Sequence, residues 1–290
     1  MLNKTLSLND ITVLIVGDVM LDEYVYGSVS RFSPEAPVPI IDVESKSYSL
    51  GGAANVANNV FVLGAKPVLC SAVGNDENGV MLKNMLTSIN VPVSDVISVD
   101  SKQTIVKQRF MVDGKQLFRA DYEDAFDLDS RDASRLIDVI ENVIANRKPN
   151  VIIIQDYDKG VMTNEVIASV LNLADKNNIK VFVDPKKRNF DKYQGAFLFK
   201  PNEKEFSDYL GKKLDDDTLE EDMKKFQEKF NIRNFLLTRG EKGMVLSENF
   251  GEEYYVIPSE VRSIADVTGA GDTVISTFTV ICAADVDLEN

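Results

Sequence analysis

The 290-residue chain contains no histidine and only two cysteines, Cys70 and Cys282. Without histidine, Ser-His-Asp and Cys-His hydrolysis, imidazole acid-base chemistry and His-ligated metal centres are excluded, so catalysis must be built from carboxylates, lysines and backbone N–H groups. The cysteines lie in apolar surroundings without paired spacing, which argues against a zinc site or a disulfide framework and fits a reducing cytoplasm. Positive charge is also scarce. Thirty-two Lys and Arg stand against 46 Asp and Glu, a net charge of -14 that argues against nucleic acid as a partner. No apolar run reaches the roughly 18 residues of a membrane span, and the polar stretch 1–10 lacks the pattern of an export signal. The expectation is a cytoplasmic globular protein, with 44% apolar residues to fill a sizeable core.

What is present alternates. Continuous β-rich apolar runs occur at 11–16, 67–73, 151–155, 180–184 and 235–238, and helical periodicity occupies 55–63, 79–89, 133–144 and 164–173. Strands alternating with helices predict an α/β fold, a mostly parallel sheet covered on both faces, with ligands at the carboxyl edge where Asp18, Asp156, Asp184 and Thr238 end strands. Two regions break the alternation. Residues 21–30 and 38–45 alternate apolar and polar side chains, and 104–111 pairs with 116–121 across Asp113-Gly114, a strong hairpin signal. They predict a small β-sheet lid, from about 19–48 and 93–121, inserted in one continuous folding unit over 1–290 and offering exposed strands to a second subunit.

Several constellations can carry chemistry, each beside a plainer reading. The stretch 266–272 holds Gly269, Ala270, Gly271 and Asp272 ahead of an apolar helix over 273–284. The glycines admit an anion to the unpaired N–H groups of the helix start, and Asp272 is placed to act as a general base; the same residues also suit a tight connection with a capping Asp. Asp18, Asp22, Gly51, Gly52 and Asn55 suit the holding of sugar hydroxyls, or a capped helix beside surface acids. Arg109 and Arg119, with Lys107 on the same strand face as Arg109, suit a phosphate clamp or a charged edge strand, and Lys159 invites a weaker version of the same reading. Asn202 caps a helix whose Glu205 can organise the water shell of Mg²⁺. There is no Walker sequence, and no G-x-G-x-x-G follows the first strand, which removes the main support for P-loop and dinucleotide readings.

The run 51–57, the 202–205 pattern and 266–272 resemble, in that order, the motifs of the ribokinase-like (PfkB) carbohydrate kinases. Residues 32–39, 156–160 and 184–186 resemble the bacterial heptose-phosphate kinases within that family. The resemblance implies a three-layer α/β/α fold and transfer of the ATP γ-phosphate to O1 of D-glycero-D-manno-heptose 7-phosphate. It implies Asp272 as the base, with Gly269, Ala270 and Gly271 facing the transferred phosphoryl, and Asn202, Glu203, Lys204 and Glu205 serving the nucleotide and Mg²⁺. Thr238 and Gly240 would line the nucleotide site, and Asp18, Asp22, Gly51, Gly52 and Asn55 would hold the sugar. Arg109 and Arg119 are assigned to the 7-phosphate from charge and position more than from motif. A homodimer through the lid is expected. Family members continue beyond the helix over 273–284 through sequence that helps close the adenine pocket, so a C-terminally short kinase domain is expected. Another sugar kinase, or a binding protein on a kinase fold, is the alternative.

Overall fold

A computed structural model of the chain describes residues 7–124, 126–259 and 269–284. Strand β1 (Thr12–Gly17) is buried on both faces because its apolar residues are consecutive: Val13 and Ile15 enter one core, Leu14 and Val16 the other. Two long strands follow almost without a break, β2 (Val19–Phe32) and β3 (Pro39–Gly52), and β3 runs directly into α1 (Ala53–Val62). The chain then forms β4 (Lys66–Gly74), α2 (Glu77–Ser88), β5 (Val96–Val99) and the hairpin β6 (Val106–Val112) and β7 (Lys115–Tyr122). Next come α3 (Ser130–Arg147), β8 (Val151–Gln155), α4 (Asn164–Lys176), β9 (Lys180–Asp184), β10 (Leu198–Phe199), α5 (Glu203–Leu210) and α6 (Leu219–Phe230). The antiparallel end β11 (Asn234–Thr238), β12 (Met244–Glu248) and β13 (Glu253–Ile257) precedes α7 (Ala270–Ala283).

Among the described residues the strands make two sheets. The large one has the order β13-β12-β11-β10-β9-β8-β1-β4-β5 and is parallel except at β12 and β13. Apolar faces of α1, α2 and α7 cover one side of it, and those of α3, α4, α5 and α6 cover the other. This is the expected three-layer α/β/α body. The small sheet, β3-β2-β6-β7, is the lid. Its hairpin turns at Asp113 and Gly114, both with positive φ (50° and 73°), the two-residue turn whose twist matches the flanking strands.

The lid boundaries differ from those expected. Its segments are 19–52 and 106–122, while Val96–Val99 pairs in parallel with β4 in the body, because its buried Val96 and Val99 join the cores beneath α2 and α3. Helix α6 and the β12–β13 hairpin had no counterpart among the expected elements. In α6 the core contacts Leu219, Met223, Phe226 and Phe230 recur at helical spacing within a strongly charged segment, so its apolar stripe is narrow.

From β1 the chain moves one way to β4 and β5, and from β8 onward it moves the other way. A topological switch point therefore lies between the carboxyl ends of β1 and β8, where a crevice opens in sheets of this kind. The lid reaches that crevice through Gly51 and Gly52. Gly52 has φ +58°, and a Cβ there would lie 2.3 Å from the Asp18 carbonyl oxygen, so only glycine lets β3 turn into α1 at this separation. Gly52→Ala is expected to lower the unfolding free energy by about 2 kcal/mol or more, read from urea denaturation. An unchanged midpoint would show that the junction tolerates a side chain.

Candidate active site

Asp272 lies in the first turn of α7 and is 3% exposed. Three neutral donors converge on it: Asn55 Nδ2 at 2.7 Å to Oδ2, and Gln155 Nε2 at 3.0 Å and the Tyr157 hydroxyl at 2.9 Å to Oδ1. Burial pushes its carboxyl up to about 6. Asp184 adds to the rise, whereas Asn55, Tyr157 and Lys200 oppose it. The group is thus a carboxylate at neutral pH with a basicity raised toward that of a useful proton acceptor. Gly269 precedes α7 with φ +79°, and a Cβ there would come within 2.8 Å of Asn55 Nδ2, so the turn packs directly against that amide. The N–H groups of the first turn after it have no intrahelical acceptor. Beside Gly271 lies Lys200, 3% exposed and 2.9 Å from Asp184 Oδ2.

The lid supplies the opposite wall. A cavity of about 310 Å³ is bounded by Asp22, Gly51, Gly52, Asn55, Lys107, Arg109, Arg119, Tyr157, Gly269 and Asp272 among others. The strand register brings them together: Asp22 pairs with Ser49 and Lys107, Tyr24 with Arg109, and Arg109 with Arg119. Arg109 is buried, ion-paired with Asp22, and lies 5.4 Å from the Tyr24 ring centre. Arg119 is half-exposed and paired with Asp121, at 2.7 Å through Nε and 2.9 Å through Nη2.

Asp18 does not join this cavity. It is wholly buried, and its carboxylate accepts the backbone N–H groups of Tyr157 (2.9 Å), Lys159 (3.2 Å) and Val161 (2.9 Å). Its expected contact with sugar is corrected accordingly: both of its carboxylate oxygens are engaged by the 157–161 backbone. Burial, with Asp156 nearby, pushes its carboxyl up to about 6. Lys159 also turns away, pairing with Glu123 at 2.6 Å.

The expected nucleotide residues gather at the end of β11. Asn202 forms a parallel bridge to Thr238, and Asn202 and Glu205 make a capping box at the start of α5. Gly240 opens the next turn with φ +57° and nothing within 4 Å of its Cβ position. Glu205 is paired with Lys186, whose Nζ stands 5.2 Å from the Tyr157 ring centre, so this end connects to the Asp272 cavity through two side chains. Two residues depart from expectation. Lys204 projects into solvent, its side chain 85% exposed and paired with Asp208, because the i to i+4 spacing on a short helix faces both outward. The Glu203 carboxylate is taken up by Arg239 at 3.5 Å and Lys242 at 3.3 Å. The turn 266–268 and the segment 285–290, on which the short-terminus expectation rests, lie outside the described residues.

Gln155, Tyr157, Lys186 and Lys200 were not among the expected site residues. Each stands at or just beyond the carboxyl end of a parallel strand, and that position was their available signal.

The model of the family described as pfkB family carbohydrate kinase matches residues 10–290. The chain is similar to the bifunctional protein HldE of Vibrio parahaemolyticus, 40% identical over 281 residues covering 97% of this chain and 57% of that protein. The HldE of Pseudomonas aeruginosa is 41% identical over 276 residues, 95% and 56% of the two chains. The chain therefore spans little more than half the length of these curated relatives. Phosphofructokinase-2 from Escherichia coli in complex with potassium superimposes with a TM-score of 0.78 at 20% identity, covering 96% of this chain and 87% of that one. Arabidopsis thaliana ribokinase complexed with ribose and ATP gives 0.73 at 18%, covering 96% and 88%. At such identities the likeness is one of fold.

Two buried aspartates thus have opposite tasks, and stability separates them. Asp18→Ala strands three backbone donors and is expected to lose about 3 kcal/mol or more. Asp272 carries a raised pKa, so its ionisation disfavours the folded state as pH rises from about 4 through about 6. Asp272→Asn is therefore expected to match or exceed the parent stability at pH 8 and to lose any advantage below pH 4. Urea unfolding at both pH values checks this, and equal losses for the two variants would overturn the division.

Proposed function

Given that the chain belongs to the pfkB family of carbohydrate kinases, we propose that it transfers the γ-phosphate of ATP to O1 of D-glycero-D-manno-heptose 7-phosphate. The product is the 1,7-bisphosphate on the route to the ADP-heptose of the lipopolysaccharide core. The observation that carries the reading is the shared cavity in which the buried carboxylate of Asp272 faces Lys107, Arg109 and Arg119. A sugar carrying a phosphate at one end and a reactive hydroxyl at the other matches such a cavity, because guanidinium groups recognise phosphate through paired N–H donors.

In this reading the sugar hydroxyls rest on Asp22, Asn55 and the backbone of Gly51 and Gly52. Asp272 accepts the proton of the O1 hydroxyl as that oxygen attacks the γ-phosphorus in line, and the bond from the γ-phosphorus to the leaving oxygen of ADP breaks. Backbone N–H groups over Gly269 to Gly271 stabilise the charge on the transferred phosphoryl, and Lys200 is close enough to that turn to assist. Asn202, Thr238 and Gly240 form the floor for the nucleotide. Among the described residues no group of three acidic or cysteine side chains is arranged to hold a metal. Mg²⁺ would be held largely through phosphate oxygens and water, with Glu205 the residue that would engage its water shell, and it would supply neutralisation of phosphate charge.

The same reading has the protein working in the cytoplasm; none of the described helices is long and apolar enough to cross a membrane. It also has two copies joined through their lids, a pairing supported by the exposed Tyr26, Phe32, Val43, Leu117 and Phe118 on the lid strands. Light scattering at micromolar concentration is expected to give a dimer, and a monomer would remove that element.

ADP release measured across a panel of sugars and sugar phosphates is expected to be fastest with the heptose 7-phosphate. Asp272→Asn should lower kcat by about 10² to 10⁴, and retained turnover would exclude Asp272 as the base. Because the base must be ionised, the rate should rise with pH through about 6 and level off above it. Arg109→Ala should raise KM for phosphorylated sugars, and an unchanged KM would remove the phosphate clamp.

A further inference from the structure

Gln155 ends β8 and is 1% exposed. Its backbone pairs with Gly17 of β1 on one side and Asp184 of β9 on the other, which sets its side chain at the topological switch point. The single Nε2 group donates to two carboxylates, Asp184 Oδ2 at 3.0 Å and Asp272 Oδ1 at 3.0 Å. The same Asp184 oxygen also takes Lys200 Nζ, at 2.9 Å. A continuous chain of contacts therefore runs Asp272, Gln155, Asp184, Lys200, from the hydroxyl-accepting side of the site to the side beside Gly271.

This arrangement is not a packing solution. The Gln155 Oε1 atom is buried and, among the described residues, without a hydrogen-bond partner. An apolar side chain of similar length would fill the space without burying an unsatisfied acceptor. What an apolar side chain cannot supply is the two N–H bonds. Across this water-poor space the Asp184 charge favours uptake of a proton by Asp272. An amide nitrogen between them gives one hydrogen to each carboxylate, and a hydrogen bond to its charged form favours ionised Asp272.

We infer that Gln155 is the positioning residue of the base: it holds the Asp272 carboxylate ionised and aimed into the cavity, and through Asp184 couples it to Lys200. The inference rests on the reading of Asp272 as general base. The other charged or titratable groups facing Asp272 are Tyr157 beyond β8, Asp184 at the end of β9 and Lys200 beyond β10. Across the cavity the lid contributes Asp22, Lys107, Arg109 and Arg119. Gln155 is the neutral donor placed between the two carboxylates.

The test is the pH–rate profile of Gln155→Leu beside the parent and Asp272→Asn. Loss of the two N–H bonds should move the acid limb of kcat upward by about one pH unit and lower kcat at pH 8 by about 10-fold, with KM for sugar and nucleotide changed less than about 3-fold. An acid limb that stays in place overturns the inference, whether kcat holds, stability alone falls, or KM rises as for a lost substrate contact. Should Gln155→Leu not fold, Gln155→Met keeps the side-chain length without the N–H donors, and its acid limb should also move upward; an unmoved limb again overturns the inference. Turnover retained by Asp272→Asn would sink the base reading itself, and is distinguished from failure of Gln155 by that variant alone.

Discussion

The site depends on the burial of one carboxylate that does not line the cavity. Asp18 follows β1 at the switch point, and its main chain and side chain are fully committed. Its N–H donates to the Gln155 carbonyl at 3.1 Å, its carbonyl accepts the Ala53 N–H at 2.8 Å, and its carboxylate gathers three N–H groups from the 157–161 loop. One residue thereby joins β1, β8, the start of α1 and the loop that carries Tyr157. Asn55, Gln155 and Tyr157, the three donors on Asp272, all sit within two residues of a group that Asp18 holds. A buried charge of this kind is tolerated only when its oxygens are saturated with donors, and here the saturation doubles as the geometry of the site.

Around that centre, charge is arranged in two ways. The carboxylate of Asp272 is surrounded mainly by neutral donors, and its burial keeps it basic. The cations nearby each lean on an acid: Lys200 on Asp184, Lys186 on Glu205, Arg109 on Asp22, Arg239 on Glu203. In a chain with a net charge of -14 and no histidine, each of these lysines and arginines already has a carboxylate partner. On the proposed reading an arriving phosphate would compete with a carboxylate for a cation already in place, so recognition would consist of partner exchange more than of recruitment.

The layers and the lid were legible because their signals are local. Consecutive apolar residues marked strands buried on both faces, and Asp113-Gly114 marked the hairpin. The Asn202 to Glu205 capping box could likewise be read from four adjacent residues. Asp18 could not be read in the same way. Its partners lie about 140 residues away and are backbone groups, which no side-chain pattern announces. Gln155 and Lys200 were hidden by position, since the residue that ends a buried strand reads as part of an apolar run until the neighbouring strand's register is known. Lys204 erred the other way: it sits inside a motif, yet the pitch of α5 turns it to solvent.

The lid has no stalk. β1 ends at Gly17 and β2 begins at Val19, while β3 ends at Gly52 and α1 begins at Ala53, so the small sheet is an extrusion of the body's own strand and helix. Its base carries Asp22, Gly51 and Gly52, and the irregularities in its pairing, near Tyr26 and Gly27 and again between Val29 and Arg31, lie farther out. Lid and body are consequently not interchangeable parts. Recombination that swapped this sheet between relatives would cut through the wall of the Asp272 cavity, so the lid and the body are inherited as one piece.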